Sequence, residues 1–188
     1  MKKNLTPLIV FVCLVVFAVF YFQYTMKETV PGENQFRFAN KNLEDGKYDE
    51  ALKVFDEVVS QYPDYADAHM GRAITLMDLG MFDESRTAFD RAIKLKEKFA
   101  TAYANRGILN DRTGRFEDAV RDYRKSVELE PEIDKGPGYI WRFLHNVADR
   151  PPSVSDRADY IEKELQKPES ERLLRVSELD EKQRMYKK

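Results

Sequence analysis

The sequence predicts an all-α protein: three stacked helix hairpins, closed by C-terminal capping helices and preceded by one transmembrane helix. Three observations predict it. A pattern of glycine, any residue, aromatic, two acids and a small residue returns at a spacing of 34, as Gly46 to Ala51, Gly80 to Ser85 and Gly114 to Ala119. Ahead of it, Leu5 to Phe22 runs 18 residues without a charge. The remainder is very polar: 34% of the 188 residues are charged, and mean hydropathy is -0.61 despite the apolar run. Its apolar residues must therefore lie in narrow stripes, as on amphipathic helices.

The N-terminal run reads as an uncleaved anchor over residues 5–26. Met1-Lys2-Lys3 is a positive flank, Pro7 falls in the first turn, and Tyr21 and Tyr24 stand where an interfacial aromatic belt would lie. A helix of this length can cross a hydrocarbon core of roughly 30 Å. The competing reading is a cleaved signal peptide, against which stand the length of the run and the lack of a small-x-small site after it. Lys2 and Lys3 place the N-terminus in the cytoplasm and the repeats on the far side of a bacterial inner membrane, in the periplasm. Residues 1–28 are thus flank and membrane helix, and 29–34, with Pro31 and Gly32, a short stem.

Residues 35–131 hold the repeats, as units of about 32–65, 66–99 and 100–133. The echo extends through Tyr48, Phe82 and Phe116, then Phe55, Phe89 and Tyr123, then Val58, Ala92 and Ser126. Upstream, Ala39, Ala73 and Gly107 supply a small residue where the second helix of each hairpin must come close. Gly46, Gly80 and Gly114 sit where a first helix ends and a left-handed cap is needed. Acidic pairs then open each second helix at its positive dipole end. Ala51, Val54, Phe55 and Val58 form one stripe; Ser85, Ala88, Phe89 and Ala92 repeat it, and Ala119, Asp122, Tyr123 and Ser126 repeat it with polar replacements. A period of 34 with a mid-unit glycine describes paired antiparallel helices stacked on their neighbours.

This pattern resembles the tetratricopeptide repeat family from Glu33 to about Pro131. Departures are local: Gln35 and His69 stand where a large aromatic is usual, Ser85 for the usual alanine and Glu97 for the usual proline. The resemblance implies a right-handed superhelix whose concave face, built from first helices, receives a peptide or partner helix. Carried onto this chain, the groove positions are Phe36, Asn40 and Leu43 in unit one, and Asp67, Met70, Ile74, Met77 and Asp78 in unit two. Unit three supplies Thr101, Ala104, Ile108, Asp111 and Arg112. Met70 and Met77 read equally well as interhelix core, and Asp67, Asp78 and Asp111 as solvated surface. One variant of the family grips the C-terminal carboxylate of cytosolic chaperones with lysines, asparagines and an arginine. Here Phe36, Gly71 and Thr101 occupy clamp places and only Asn40 matches, so chaperone-tail binding is not expected.

Residues 132–188 change character. They hold 12 basic and 12 acidic side chains, whereas residues 28–131 hold 16 and 21. After Gly136-Pro137-Gly138, Tyr139 to Val147 reads as a short helix, Trp141 lying 34 after Gly107 as in a decayed fourth unit. Past Pro151-Pro152, Ser153 or Ser155 can cap a helix reaching Lys167, with Ala158, Ile161 and Leu165 on its apolar face and Tyr160 alongside. Pro168 to Glu171 then restarts a short helix carrying Leu173, Leu174, Val176 and Leu179. Capping the last repeat is the plainest use, with a separate docking surface as the rival.

Chemistry is absent from the pattern. The 31 basic and 33 acidic residues give a net charge of -2, with no clustered basic face for nucleic acid. One cysteine, Cys13, and two histidines, His69 and His145, exclude an intrachain disulfide and a histidine-built metal site. No HExxH, GxxxxGK[ST], GxSxG or CxxC occurs. The expectation is a non-enzymatic protein without metal, cofactor or small-molecule substrate. As main function the sequence suggests a membrane-anchored accessory or assembly subunit making protein contacts in a larger complex. The alternative is an adaptor that binds a partner peptide or helix transiently in the groove. Homo-oligomerisation through the stacked ends is a weaker option.

Overall fold

The computed structural model describes residues 6–25, 31–135 and 152–175; in the first segment it describes the side chains of residues 12–21. The chain divides into two units, Met1–Glu33 and Asn34–Lys188. The first contains α1 (Thr6–Thr25). Among the described residues no helix is long and apolar enough to cross a membrane. That corrects the expected transmembrane helix, and with it the bilayer contact over residues 5–26 and the inner-membrane and periplasmic placement. The described side chains of α1, residues 12–21, are exposed and apolar.

Among the described residues, the regular elements of the second unit are all helices. Three hairpins follow one another: α2 (Glu33–Glu44) with α3 (Tyr48–Gln61), α4 (Ala66–Asp78) with α5 (Phe82–Leu95), and α6 (Ala100–Arg112) with α7 (Phe116–Leu129). Each turn is built the same way. Gly46, Gly80 and Gly114 adopt φ of 73°, 77° and 77°, the left-handed region that costs other residues about 1–2 kcal/mol. Their N–H groups reach back to Leu43, Met77 and Asp111. The following N–H groups of Lys47, Met81 and Arg115 reach the carbonyls of Asn42, Leu76 and Asn110 at 2.9, 2.9 and 2.8 Å. This paired pattern satisfies carbonyls that a helix end would otherwise leave open.

The expected stripes form the core. Ala39, Ala51, Phe55, Ala73, Phe89, Ala92, Ala119 and Tyr123 are buried, and Tyr48 and Phe116 pack half-buried against them. Phe82 and Pro131 are exposed. At Gly107 the hairpin partners come close, since a methyl there would lie 2.6 Å from the Tyr123 ring. A second close approach falls between units: at Gly71 an added methyl would enter the ring of Phe55. Polar residues in the stripes are satisfied rather than tolerated. Ser85 donates to the Ala73 carbonyl at 2.7 Å and Ser126 to that of Tyr123 at 2.7 Å. Asp122 takes a two-pronged contact from Arg106 at 2.8 and 2.6 Å and a third bond from Asn110 at 2.9 Å.

After α7, a short 3-10 helix spans Pro131–Lys135, and α8 (Val154–Leu165) packs on α7 as the capping helix. Ser153 caps α8 by accepting from the Asp156 N–H, while the Asp156 carboxylate accepts from the Ser153 N–H. Val154, Ala158 and Ile161 are buried and Leu165 is half-buried. The helix expected to restart at Pro168 is corrected to a 3-10 turn at Glu169–Glu171 followed by extended chain from Arg172. The reason is tertiary: Glu164 accepts the Leu173 N–H at 2.8 Å and Tyr160 donates to the Leu173 carbonyl at 2.6 Å. Trp141, with the helix expected over 139–147, lies outside the described residues, as do Val176 and Leu179.

Replacing Gly71 by alanine should lower stability by about 1–3 kcal/mol, because the Phe55 ring must leave its place. A lower denaturant midpoint at unchanged slope checks it; an unchanged midpoint would mean that the ring shifts freely.

Candidate functional site

The first helices α2 and α4 enclose a cavity of about 110 Å³ between the first two units. Phe36, Asn40, Leu43 and Glu44 line it from α2, and Asp67, Met70, Gly71 and Ile74 from α4. Six of the expected groove residues, Phe36, Asn40, Leu43, Asp67, Met70 and Ile74, thus meet around one space. The floor is apolar and firm: Leu43, Met70 and Ile74 are buried. Phe36 meets the Phe55 ring edge-on at 6.1 Å and tilts against Tyr65 at 5.1 Å, arrangements that aromatic quadrupoles favour. Asn40 stands half-buried in the wall, able to offer both donor and acceptor to a peptide backbone.

The other expected positions lie elsewhere. Met77, Ala104 and Ile108 are at most 2% exposed and belong to the interhelix packing. Asp78 faces Arg112 at 3.8 Å. Thr101 is buried, and its hydroxyl has no hydrogen-bond partner among the described residues. Asp111 is held by the capping helix: Arg157 of α8 donates through Nε and Nη2 at 2.7 and 2.8 Å, with both side chains under a tenth exposed. The Tyr123 hydroxyl adds a longer bond to Asp111 at 3.3 Å. Arg157 also donates to the Leu174 carbonyl at 3.2 Å, and Arg175 to the Arg112 carbonyl at 2.7 Å. At the third unit the chain's own residues 173–175 and Arg157 therefore engage positions that the first two units leave around the cavity.

Sequence reasoning missed Glu44 and Arg157, and gave Gly71 a clamp place without counting it among the groove residues. A signal existed for Arg157, which lies four residues before Ile161 and so falls inside the apolar stripe of α8. A charge at a stripe position asks for a buried partner.

His69, at the second unit's aromatic position, contacts the Pro63 carbonyl at 2.9 Å through Nε2. Burial pulls its pKa below the ordinary value, outweighing that bond, while Arg91 and Arg72 push the same way; the neutral ring donates its N–H to the carbonyl. His145 lies outside the described residues. Among the described residues no group of three His, Cys, Asp or Glu side chains is placed to hold a metal.

Comparison with known proteins agrees with this architecture. Residues 42–105 and 100–133 match models described as tetratricopeptide repeat. No curated protein matches the chain in sequence. Among solved structures, the first TPR of Spaghetti (RPAP3) bound to HSP90 peptide SRMEEVD is similar at TM-score 0.58 and 21% identity, covering 72% of this chain and 94% of that one. The first TPR domain of human RPAP3 gives 0.53 and 22%, covering 70% and 95%. The Arabidopsis OM64 TPR domain gives 0.52 and 22%, covering 54% and 84%. At such identities the likeness is one of fold. That fold is a non-catalytic scaffold for protein contacts.

Two stability outcomes follow. Replacing Arg157 by leucine strands the buried Asp111 carboxylate and should cost about 3–5 kcal/mol, most of it recovered when Asp111 also becomes asparagine; thermal unfolding of the single and double variants measures the coupling. Thr101→Val removes a buried hydroxyl with no bond among the described residues, and should raise the denaturation midpoint by the equivalent of about 1 kcal/mol. A lower midpoint would reveal a partner for that hydroxyl.

Proposed function

We propose that the protein is a non-enzymatic binding module that holds a partner's peptide or helix in the groove between α2 and α4. The observation that carries this reading is the cavity itself. Residues from two successive first helices converge on it with a buried apolar floor and an accessible amide at Asn40. An apolar floor with one oriented polar group is the usual make-up of a site that anchors a side chain and fixes the backbone beside it. The solved relative with a bound HSP90 peptide supports the use of such a fold for peptides.

The main function suggested by the sequence, a permanently packed subunit of a membrane complex, is corrected. It required a membrane anchor, and no helix among the described residues is long and apolar enough to cross a membrane.

The test is selection of peptides from a random display library on the full chain, followed by titration of the selected peptide against variants. Asn40→Trp places a large ring at the cavity mouth and should weaken binding by about tenfold or more, while circular dichroism stays unchanged. Full affinity in that variant would place the binding surface elsewhere. Charges at Ile74 or Met77 are poor probes, because both are 2% exposed and their replacement would unfold the stack.

A further inference from the structure

We infer that the occupant of the α2–α4 groove is a cationic segment: one apolar side chain of leucine or methionine size, flanked by lysine or arginine. The inference rests on the groove reading above and adds the chemistry of its partner. Two carboxylates, Glu44 and Asp67, line the cavity, and no cationic side chain does. Glu44 is exposed, and no ion pair of Glu44 is found among the described residues. Asp67 is a third exposed, and Lys96 approaches it only to 3.9 Å. That distance is too long for a hydrogen bond, and the same ammonium lies 4.1 Å from the centre of the Phe99 ring. Asp67 can therefore accept a closer cation at little cost. The cavity that the two carboxylates line has an apolar floor of Leu43, Met70 and Ile74, with methionine supplying a chain that adapts to its guest.

The rest of the concave face sets the length. Asp78 is matched by Arg112 at 3.8 Å, and Asp111 is closed by Arg157 beside the chain's own Leu173–Arg175. What remains open spans two units, enough for a short segment. The charge also separates this groove from that of its solved relative. The peptide bound there, SRMEEVD, ends in three acids out of four residues, and Glu44 and Asp67 would repel such a sequence.

The test titrates the full chain by fluorescence anisotropy with three labelled peptides of equal length. All share a central leucine, flanked by lysines, by serines or by glutamates. The lysine peptide should bind most tightly and the glutamate peptide least. Raising salt from about 50 to about 300 mM should narrow the gap between lysine and serine peptides by several fold. Combining Glu44→Gln with Asp67→Asn should weaken the lysine peptide about tenfold relative to the serine peptide. Equal affinities, or a preference for glutamate, overturn the inference; if Asn40→Trp still blocks binding in that case, the groove reading survives. Absence of binding by all three overturns the inference as well, and the groove reading is then decided by the selected peptides and the same tryptophan variant.

Discussion

A stack of like hairpins contains no reason to stop, and the buried contact between Arg157 and Asp111 is what ends this one. Each hairpin offers its neighbour an apolar face, and the last face would remain open to water without a lid. The α8 helix covers it, but apolar contact alone would let a short helix slide along α7. A guanidinium gripping a carboxylate with two parallel bonds, both groups nearly out of water, admits a single register. Leaving either charge unmatched would be far more expensive than the pair is rewarding. The extended chain at Leu173 to Arg175 is fixed by the same arginine, by Tyr160 and by Glu164. The Lys167 ammonium and the Leu173 N–H in turn hold the Glu164 carboxyl below its usual range.

Between units, charge keeps order along the other side of the stack. Arg72 reaches Asp56 at 2.5 Å, and Arg106, 34 residues on, reaches Asp90 at 2.7 Å. In both, the acid belongs to the earlier second helix and the arginine to the later first helix. At the end the sense reverses. Arg124 occupies the place of Asp56 and Asp90, and α8 answers with Glu162 at 2.6 Å and with Asp159. Each pair is partly exposed and individually modest, so what the ladder contributes is pairing preference more than stability.

Much of the hairpin stack was legible because it depends on local rules repeated in phase. Gly114 needs a positive φ, and Ala119 and Tyr123 need one face of one helix, so spacing alone announces them. Asp122 was legible as a polar interruption, but its meaning was not, since Arg106 and Asn110 reach it from another helix. The groove positions came from the family resemblance, and the packing sorts them. The resemblance put Met77 and Ile108 on the same face as Met70 and Ile74, but how deeply each is covered follows from how neighbouring first helices lean together, which no period encodes. The extended chain after Arg172 escaped because its leucines suggest a helix, and only distant partners on α8 draw the backbone straight.

The reversed end of the charge ladder bears on how such a chain can lengthen over generations. A duplicated middle unit carries aspartate on its trailing helix and arginine on its leading one, so it fits between units one and two or between two and three. Placed after unit three, it would set its own arginine against Arg124 and displace the helix that closes the array. Growth by duplication is therefore open in the interior and closed at the C-terminal end.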